Sequence, residues 1–337
     1  MIKALIAVFN KKSHVGLFGN SFSVKDNKWT NSMAGIGAGS DSFYEYLFKS
    51  HVLFGDQEYL DMFVDSYRGI MTHLRDANGY IYSNINYETK AIVTNWIDSL
   101  AAFFPGLQCL FGDVKEAIPV QFLYHNIWKR FTGLPERFDY KQKTAAIGVY
   151  PLRPELIEST YMLYQATKNP FYLETGEMML NDIESVARLK CGYATIDDVT
   201  TGRLSDRMES FFISETLKYL YLLFDSNNFI NKMSNNLVFS TEGHMFYLNA
   251  NQTNVHVPST SRHTCPNIRQ SAALVQAALP DLSKDRILEC ENIVGIEKVA
   301  IEPVWHDITY DTSLFSSPLL QASACVSFLY GVLGSVV

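Results

Sequence analysis

The sequence predicts an all-α fold of successive antiparallel helical hairpins, and three observations lead there. Leu60, Phe63, Val64, Tyr67, Ile70, Met71 and Leu74 recur at the i, i+3, i+4, i+7 spacing of a helix that buries one face. Comparable stretches are separated by stop-and-restart pairs, namely Gly55-Asp56, Gly112-Asp113 and Asn169-Pro170. Strand-like alternation is scarce, with CGYATID at 191–197 the best short candidate.

Taken in order, the elements begin with MIKALIAVFNKK. Its apolar run from Ala4 to Phe9 is shorter than the roughly 7–15 residues of a secretory signal core, so a helix of the fold is expected. Helical patterns then fit 41–54, 59–74, 91–104, 114–131, 155–168 and 171–189. A further run joins Met208, Phe211, Phe212, Leu217, Leu220, Tyr221 and Phe224. Beyond about residue 245 the chain changes character, HVPSTSRHTCPN reads as loop, and later helical patterning is weak. The expected division is a helical domain at 1–245 and a C-terminal extension at 246–337. LLQASACVSFLYGVLGSVV at the end is fairly apolar, but its Ser and Gly make it a poor membrane span. A packed terminal helix or loose tail is expected there, with membrane anchoring as the alternative.

Composition narrows the function. A net charge of -7 gives no basic footprint, which excludes nucleic acid as an expected partner. Five scattered cysteines without a CxxC pair, and eight histidines without HExxH spacing, argue against zinc and other transition metals. Acidic, aromatic-rich chains are compatible with sugar chemistry, though composition does not establish it. Asn251-Gln252-Thr253 is a glycosylation sequon that matters only in the secretory pathway.

The acids carry more information. Asp41 lies in GAGSDSFYEYL, Glu136 in GLPERF, Glu155 and Glu158 in YPLRPELIEST, Glu209 in SDRMESFF and Glu242 in STEGH. Most stand at loop-to-helix junctions. Each alone fits helix capping, because the helix N-terminus carries partial positive charge. Together they fit a second account. In a ring of hairpins alternate helices start on one face, so junction residues from distant segments would converge on one cavity. Crowded carboxylates need arginines, a proton or a hard cation to coexist. Arg153 and Arg207 lie beside two of them. Gly35, Gly37 and Gly39 read as a turn that lets backbone approach Asp41, not as a dinucleotide loop, since no βαβ unit frames them.

At GIGAGSDSFYEYLFKS, TNWIDSL, AAFFPGLQ, WKRFTGLPERF, YPLRPELIESTYMLYQATKNPFYLETG, CGYATIDDV, DRMESFFISETLKYLYLLFD and FSTEGH the chain resembles glycoside hydrolase family 47, the class I α-1,2-mannosidases. Within that family it is most similar to the endoplasmic-reticulum degradation-enhancing group. The matching stretches cover nearly all of 1–245 in family order. The resemblance implies an (α/α)7 barrel with the site at its narrow end. It implies Glu155 as general base of an inverting hydrolysis and Asp41 as a catalytic aspartate that is also a candidate acid. Thr241 is implied as the calcium ligand, through its carbonyl and hydroxyl. Glu136, Glu158, Glu209 and Glu242 are implied as carboxylates lining the sugar and holding calcium-bound water. Arg153 is the arginine beside the base, and His244 supports the calcium loop. The implied substrate is the high-mannose N-glycan of misfolded glycoproteins, in the endoplasmic reticulum, with the degradation machinery as further partners. The family's FExxIR segment, whose glutamate is the usual general acid, is not found. An N-terminally truncated barrel lacking roughly three hairpins is therefore expected. A mannose-binding protein without catalysis, or an inactive truncated product, are the alternatives to a mannosidase.

Overall fold

The computed structural model describes residues 2–233 and 237–248. Helices dominate: α1 (Ile2–Phe9), α2 (Asp41–Phe54), α3 (Gln57–His73), α4 (Phe104–Phe111), α5 (Val114–Phe131), α6 (Glu155–Thr167), α7 (Phe171–Ala187), α8 (Lys218–Phe224) and α9 (Phe229–Lys232). A 3₁₀ turn at Leu100–Phe103 leads into α4, and a π-helical stretch at Phe212–Leu217 leads into α8. Helices α2 and α3, α4 and α5, and α6 and α7 pack as consecutive pairs. The alternate helices α2, α4, α6 and α8 also touch in succession.

Local chemistry explains the breaks. Gly55 and Gly112 end α2 and α4 in the left-handed conformation, at φ +70° and +94°, which glycine adopts without a Cβ clash. Asp56 then starts α3 by accepting the Glu58 N–H at 3.0 Å. Pro170 precedes α7, where a missing N–H is tolerated.

Helices α4 and α6 approach closely because small residues meet at their crossing. A Cβ on Gly106 would lie 3.2 Å from Ser159 Oγ. That hydroxyl accepts the Gly106 N–H at 2.9 Å and donates to the Ala102 carbonyl at 2.5 Å. Between α2, α3 and α4, the rings of Phe48, Phe63 and Phe111 lie 5.0–5.3 Å apart in tilted and edge-on contacts.

Two expectations need correcting. The connectors are not featureless: thirteen strands of two to four residues form six small antiparallel sheets among the described residues. CGYATID contributes to two of them, in β9 (Gly192–Tyr193) and β10 (Thr195–Asp198). The helix expected at 91–104 does not form. Trp96–Asp98 is instead β5, pairing with β6 (Arg137–Asp139), which pairs in turn with β7 (Thr144–Ile147). Ile92, Val93 and Thr94 are β-branched and favour extended backbone. Pro105 sits in the first turn of α4, where its missing N–H is tolerated, so it opens a helix.

Among the described residues no helix is long and apolar enough to cross a membrane. The sequon, Cys265, Cys290, Cys325 and the apolar C-terminal run lie outside the described residues.

Candidate active site

Asp41 and Glu155 are the first residues of α2 and α6. These helices belong to the alternate set that touches in succession, so their N-termini fall at one end of the array. The loop before Glu155 is held from several sides. Tyr150 exchanges backbone hydrogen bonds with Ile196 at 2.7 and 3.0 Å, and its hydroxyl donates to the Arg153 carbonyl at 3.1 Å. Leu152, fully buried, has φ +61°, a conformation costing a non-glycine residue about 1–2 kcal/mol. Its carbonyl is captured at 2.6 Å by the Thr216 hydroxyl, from the π-helical stretch. A π-bulge widens a helix locally, and here it presents Thr216 to the loop and Glu215 to the neighbouring acids.

Arg153 grips Glu136 through two guanidinium nitrogens, the Nη2–Oε2 contact being 3.1 Å. It lies 3.7 Å from Glu155 and stacks 5.6 Å from the Phe211 ring centre. Glu155, 15% exposed at its side chain, keeps one carboxylate oxygen, Oε2, without a hydrogen-bond partner. Burial pushes its carboxyl up to about 8, Arg153 draws it back, and Glu158 and Glu215 add to the rise.

A second group of charges sits beside this one. Lys49 pairs with Glu45 one turn back and lies 3.9 Å from Glu158, while the Tyr219 hydroxyl donates to Glu158 at 3.2 Å. Burial alone would depress the Lys49 ammonium, but Glu45 and Glu158 hold it above its ordinary value. Glu158 is raised, chiefly by burial, against the pull of Lys49. Glu215 rises to about 7 through burial and the nearby Glu242.

Asp41 is raised by burial and by Glu45. Asp98, at the end of β5, is raised to about 6 by burial and, to a lesser extent, by Asp41. The Ala101 N–H at 3.0 Å and the Ala38 N–H at 3.4 Å oppose that rise. Gly37 makes this approach possible, because a Cβ there would lie 2.2 Å from the Asp98 carboxylate. The glycine turn therefore serves contact with Asp98, more directly than with Asp41.

Of the expected site residues, Arg153 pairs with Glu136 and Glu155, while charge interactions without a direct pair run from Asp41 to Asp98, from Asp98 to Arg153, and from Glu155 through Glu215 to Glu242. Glu158 joins through Glu155 and Lys49. Glu209 pairs with Arg207, two residues before the Phe211 ring that faces Arg153. Glu242 is largely exposed, with His244 Nε2 3.7 Å away. Thr241 donates its backbone N–H to Tyr46 on α2 at 3.2 Å, and the adjoining Gly243 carbonyl accepts from Lys218 at 2.9 Å. Ser240 and His244 close the loop, the His244 N–H meeting Ser240 Oγ at 3.0 Å. Asp98, Glu45, Lys49, Glu215 and Tyr219 were not singled out from the sequence.

The oxygens of Thr241, Glu215 and Glu242 suit a hard cation, which beside the Lys218 ammonium would offset the Glu242 charge that adds to burial in raising Glu215. Among the described residues no three His, Cys, Asp or Glu side chains cluster as direct metal ligands. A cation here would therefore depend on the threonine and on water more than on a carboxylate cage.

Comparison with known proteins places the chain in a family. The sequence model of Glycosyl hydrolase family 47 matches residues 1–248. ER degradation-enhancing alpha-mannosidase-like protein 1 of Schizosaccharomyces pombe is 43% identical over 250 residues, 74% of this chain and 32% of that protein. The human ER degradation-enhancing alpha-mannosidase-like protein 2 is 42% identical over 229 residues, 67% of this chain and 39% of that protein. The chain thus spans about a third of the length of the curated relatives it matches. In structure it is similar to an alpha-1,2-mannosidase from Trichoderma reesei, with a TM-score of 0.64 at 24% identity, covering 74% of this chain and 60% of that one. That likeness shows a shared helical fold. The chain belongs to glycosyl hydrolase family 47.

Proposed function

We propose that the protein is an α-1,2-mannosidase of the endoplasmic reticulum acting on high-mannose N-glycans of misfolded glycoproteins. The observation that carries this is the gathering of Asp41 and Glu155 at the starts of α2 and α6, with Arg153 paired to Glu136 and 3.7 Å from Glu155, and Asp98 at the end of β5 capping the turn that leads into α4. An inverting glycosidase needs one carboxyl group to protonate the leaving oxygen and another, across a gap that admits water, to activate that water. Glu155 takes the water proton and Asp41 is the candidate acid on this chain. Arg153, locked to Glu136, orients Glu155 and favours its ionised form. Thr241, with waters held by Glu158, Glu209, Glu215 and Glu242, would hold calcium, which supplies coordination to sugar hydroxyls when bound. Residues 1–245 would form the mannosidase unit, as a partial (α/α)7 barrel, with 246–337 as a separate extension.

One observation favours a second reading. With its carboxyl raised to about 8, Glu155 holds its proton at neutral pH, and a protonated base activates no water. The same site would then bind mannose without cleaving it. Mannose release from a high-mannose N-glycan, measured with and without chelator and in Glu155→Gln, decides between them. Release that is lost with the chelator and with the variant supports the hydrolase. Binding without release by the wild-type chain supports the lectin-like reading, and neither binding nor release refutes both.

A further inference from the structure

We propose that Arg137, stacked on Trp96, is a specificity-determining contact for the glycan arm beyond the scissile bond. This rests on the mannosidase-like reading above and adds a second recognition surface to it. Strands β5 and β6 place the pair. Asp98 lies directly opposite Arg137 in the antiparallel register, and Trp96 lies two residues before Asp98, so all three side chains share one face of the sheet. The Arg137 guanidinium carbon stands 4.1 Å from the Trp96 ring centre. That is cation–π contact with the planar group laid over the indole.

Arg137 is otherwise unspoken for. It is half-buried, yet among the described residues it makes no ion pair and no side-chain hydrogen bond. The acid nearest along this face in the other direction, Asp139 opposite Trp96, spends one oxygen on the Lys141 and Gln142 N–H groups at 2.9 and 2.7 Å. Asp98 feels the positive charge of Arg137, but its oxygens accept from the Ala38 and Ala101 N–H groups and not from the guanidinium. The guanidinium therefore stands beside Asp98 against the Trp96 ring, with its donors not committed to another side chain among the described residues. A guanidinium carries donors only, in a planar fork, and can be met by neutral oxygen acceptors set side by side. Vicinal sugar hydroxyls supply them, and the Trp96 edge and half-exposed Ile147 across β7 supply apolar surface for a pyranose face. A bulge between the β6–β7 pairs of Arg137 and Phe138 twists the ribbon at this residue, as such bulges do where a side chain is re-aimed. Trp96, two residues before Asp98 on the same face, carries this ledge away from the carboxylate set, with Arg137 opposite Asp98 as its inner edge. It would meet mannose units further along the arm and leave the cleaved one to the acids.

The test is calorimetric binding by the full chain of two probes, a complete high-mannose N-glycan and methyl α-1,2-mannobioside. Arg137→Ala should weaken the complete glycan about ten-fold, near 1.4 kcal/mol, and leave the disaccharide within two-fold of wild type. Arg137→Lys keeps the charge but not the planar fork, and should recover less than half of that loss. Trp96→Phe, which preserves the packing of β5, should weaken the glycan alone by a smaller factor. Near-UV circular dichroism checks that each variant is folded. Equal loss on both probes, or full rescue by lysine, would show that Arg137 acts only as a counter-charge for Asp98 and would overturn the proposal. So would a variant that binds the complete glycan as wild type does. If the wild-type chain binds neither probe, the mannosidase-like reading itself fails.

Discussion

Replacing Glu155 with Gln should stabilise the protein at pH 8 and do little at pH 5. In the folded chain the Glu155 carboxyl sits near 8, against an ordinary value of 4.5. The folded state thus holds this proton more tightly than the unfolded state does. A group raised in this way contributes stability that is complete below about 4.5 and is lost as pH climbs through about 8. Each unit of difference is worth about 1.36 kcal/mol, which sets a ceiling of roughly 5 kcal/mol. The side chain is 15% exposed, so solvent screening reduces the ceiling to about 2 kcal/mol. Glutamine has nearly the same shape and no proton to lose. Urea unfolding in chelator at pH 5, 6.5 and 8 should therefore show a difference in favour of Glu155→Gln that grows to about 2 kcal/mol with rising pH. Glycan cleavage would be lost throughout. An equal displacement at pH 5 and pH 8, or a loss of stability at pH 8, would refute the account of Glu155 as a buried carboxyl held short of its ionised form.

Other changes test neighbouring features. Lys49→Met leaves Glu45 and Glu158 without their shared counter-charge. It should cost about 2–4 kcal/mol by urea unfolding, more at pH 8 than at pH 6, because the two acids must then take up protons. Gly37→Ala drives a methyl group into the Asp98 carboxylate, and should cost more than about 2 kcal/mol while weakening mannoside binding. Thr132 ends α5 at φ +55°, a strained setting for a β-branched residue. Thr132→Gly should raise the melting temperature by about 2–4 °C. Calcium at about a hundred times its dissociation constant should stabilise the wild-type chain by roughly 2.7 kcal/mol, and Thr241→Ala should abolish that shift.

The helix starts and stops were the most legible part of the fold. Gly55, Asp56, Gly112 and Pro170 act through local backbone geometry, so their meaning did not depend on distant residues. Residues 91–104 were misread because a short apolar run fits strand or helix equally well until the β-branched residues and the proline are weighed. Glu45 and Lys49 were hidden for another reason. At i, i+4 they look like an ordinary solvated helix pair, yet α2 is covered on the side that carries them, and both are buried. Nothing local announces that. Asp98 did carry a faint signal, since an acid three residues ahead of Ala101 is the spacing of a helix-start cap. Glu215 stood inside the apolar run ISETLKYLYLLF, where only the π-helical stretch, a tertiary feature, turns it toward the other acids.

The loop carrying Thr241 ties α8 to α2, through Lys218 on one side and Tyr46 on the other. That second link spans 195 residues of chain. During synthesis the helical pairs around Tyr46 have emerged and can pack long before residue 241 leaves the ribosome, because neighbouring contacts form first. On the proposed function, the end that would hold sugar and cation is thus the last of the described parts to be assembled. Occupancy by mannose or calcium would report that the whole stretch from α2 to the STEGH loop has been translated and has docked.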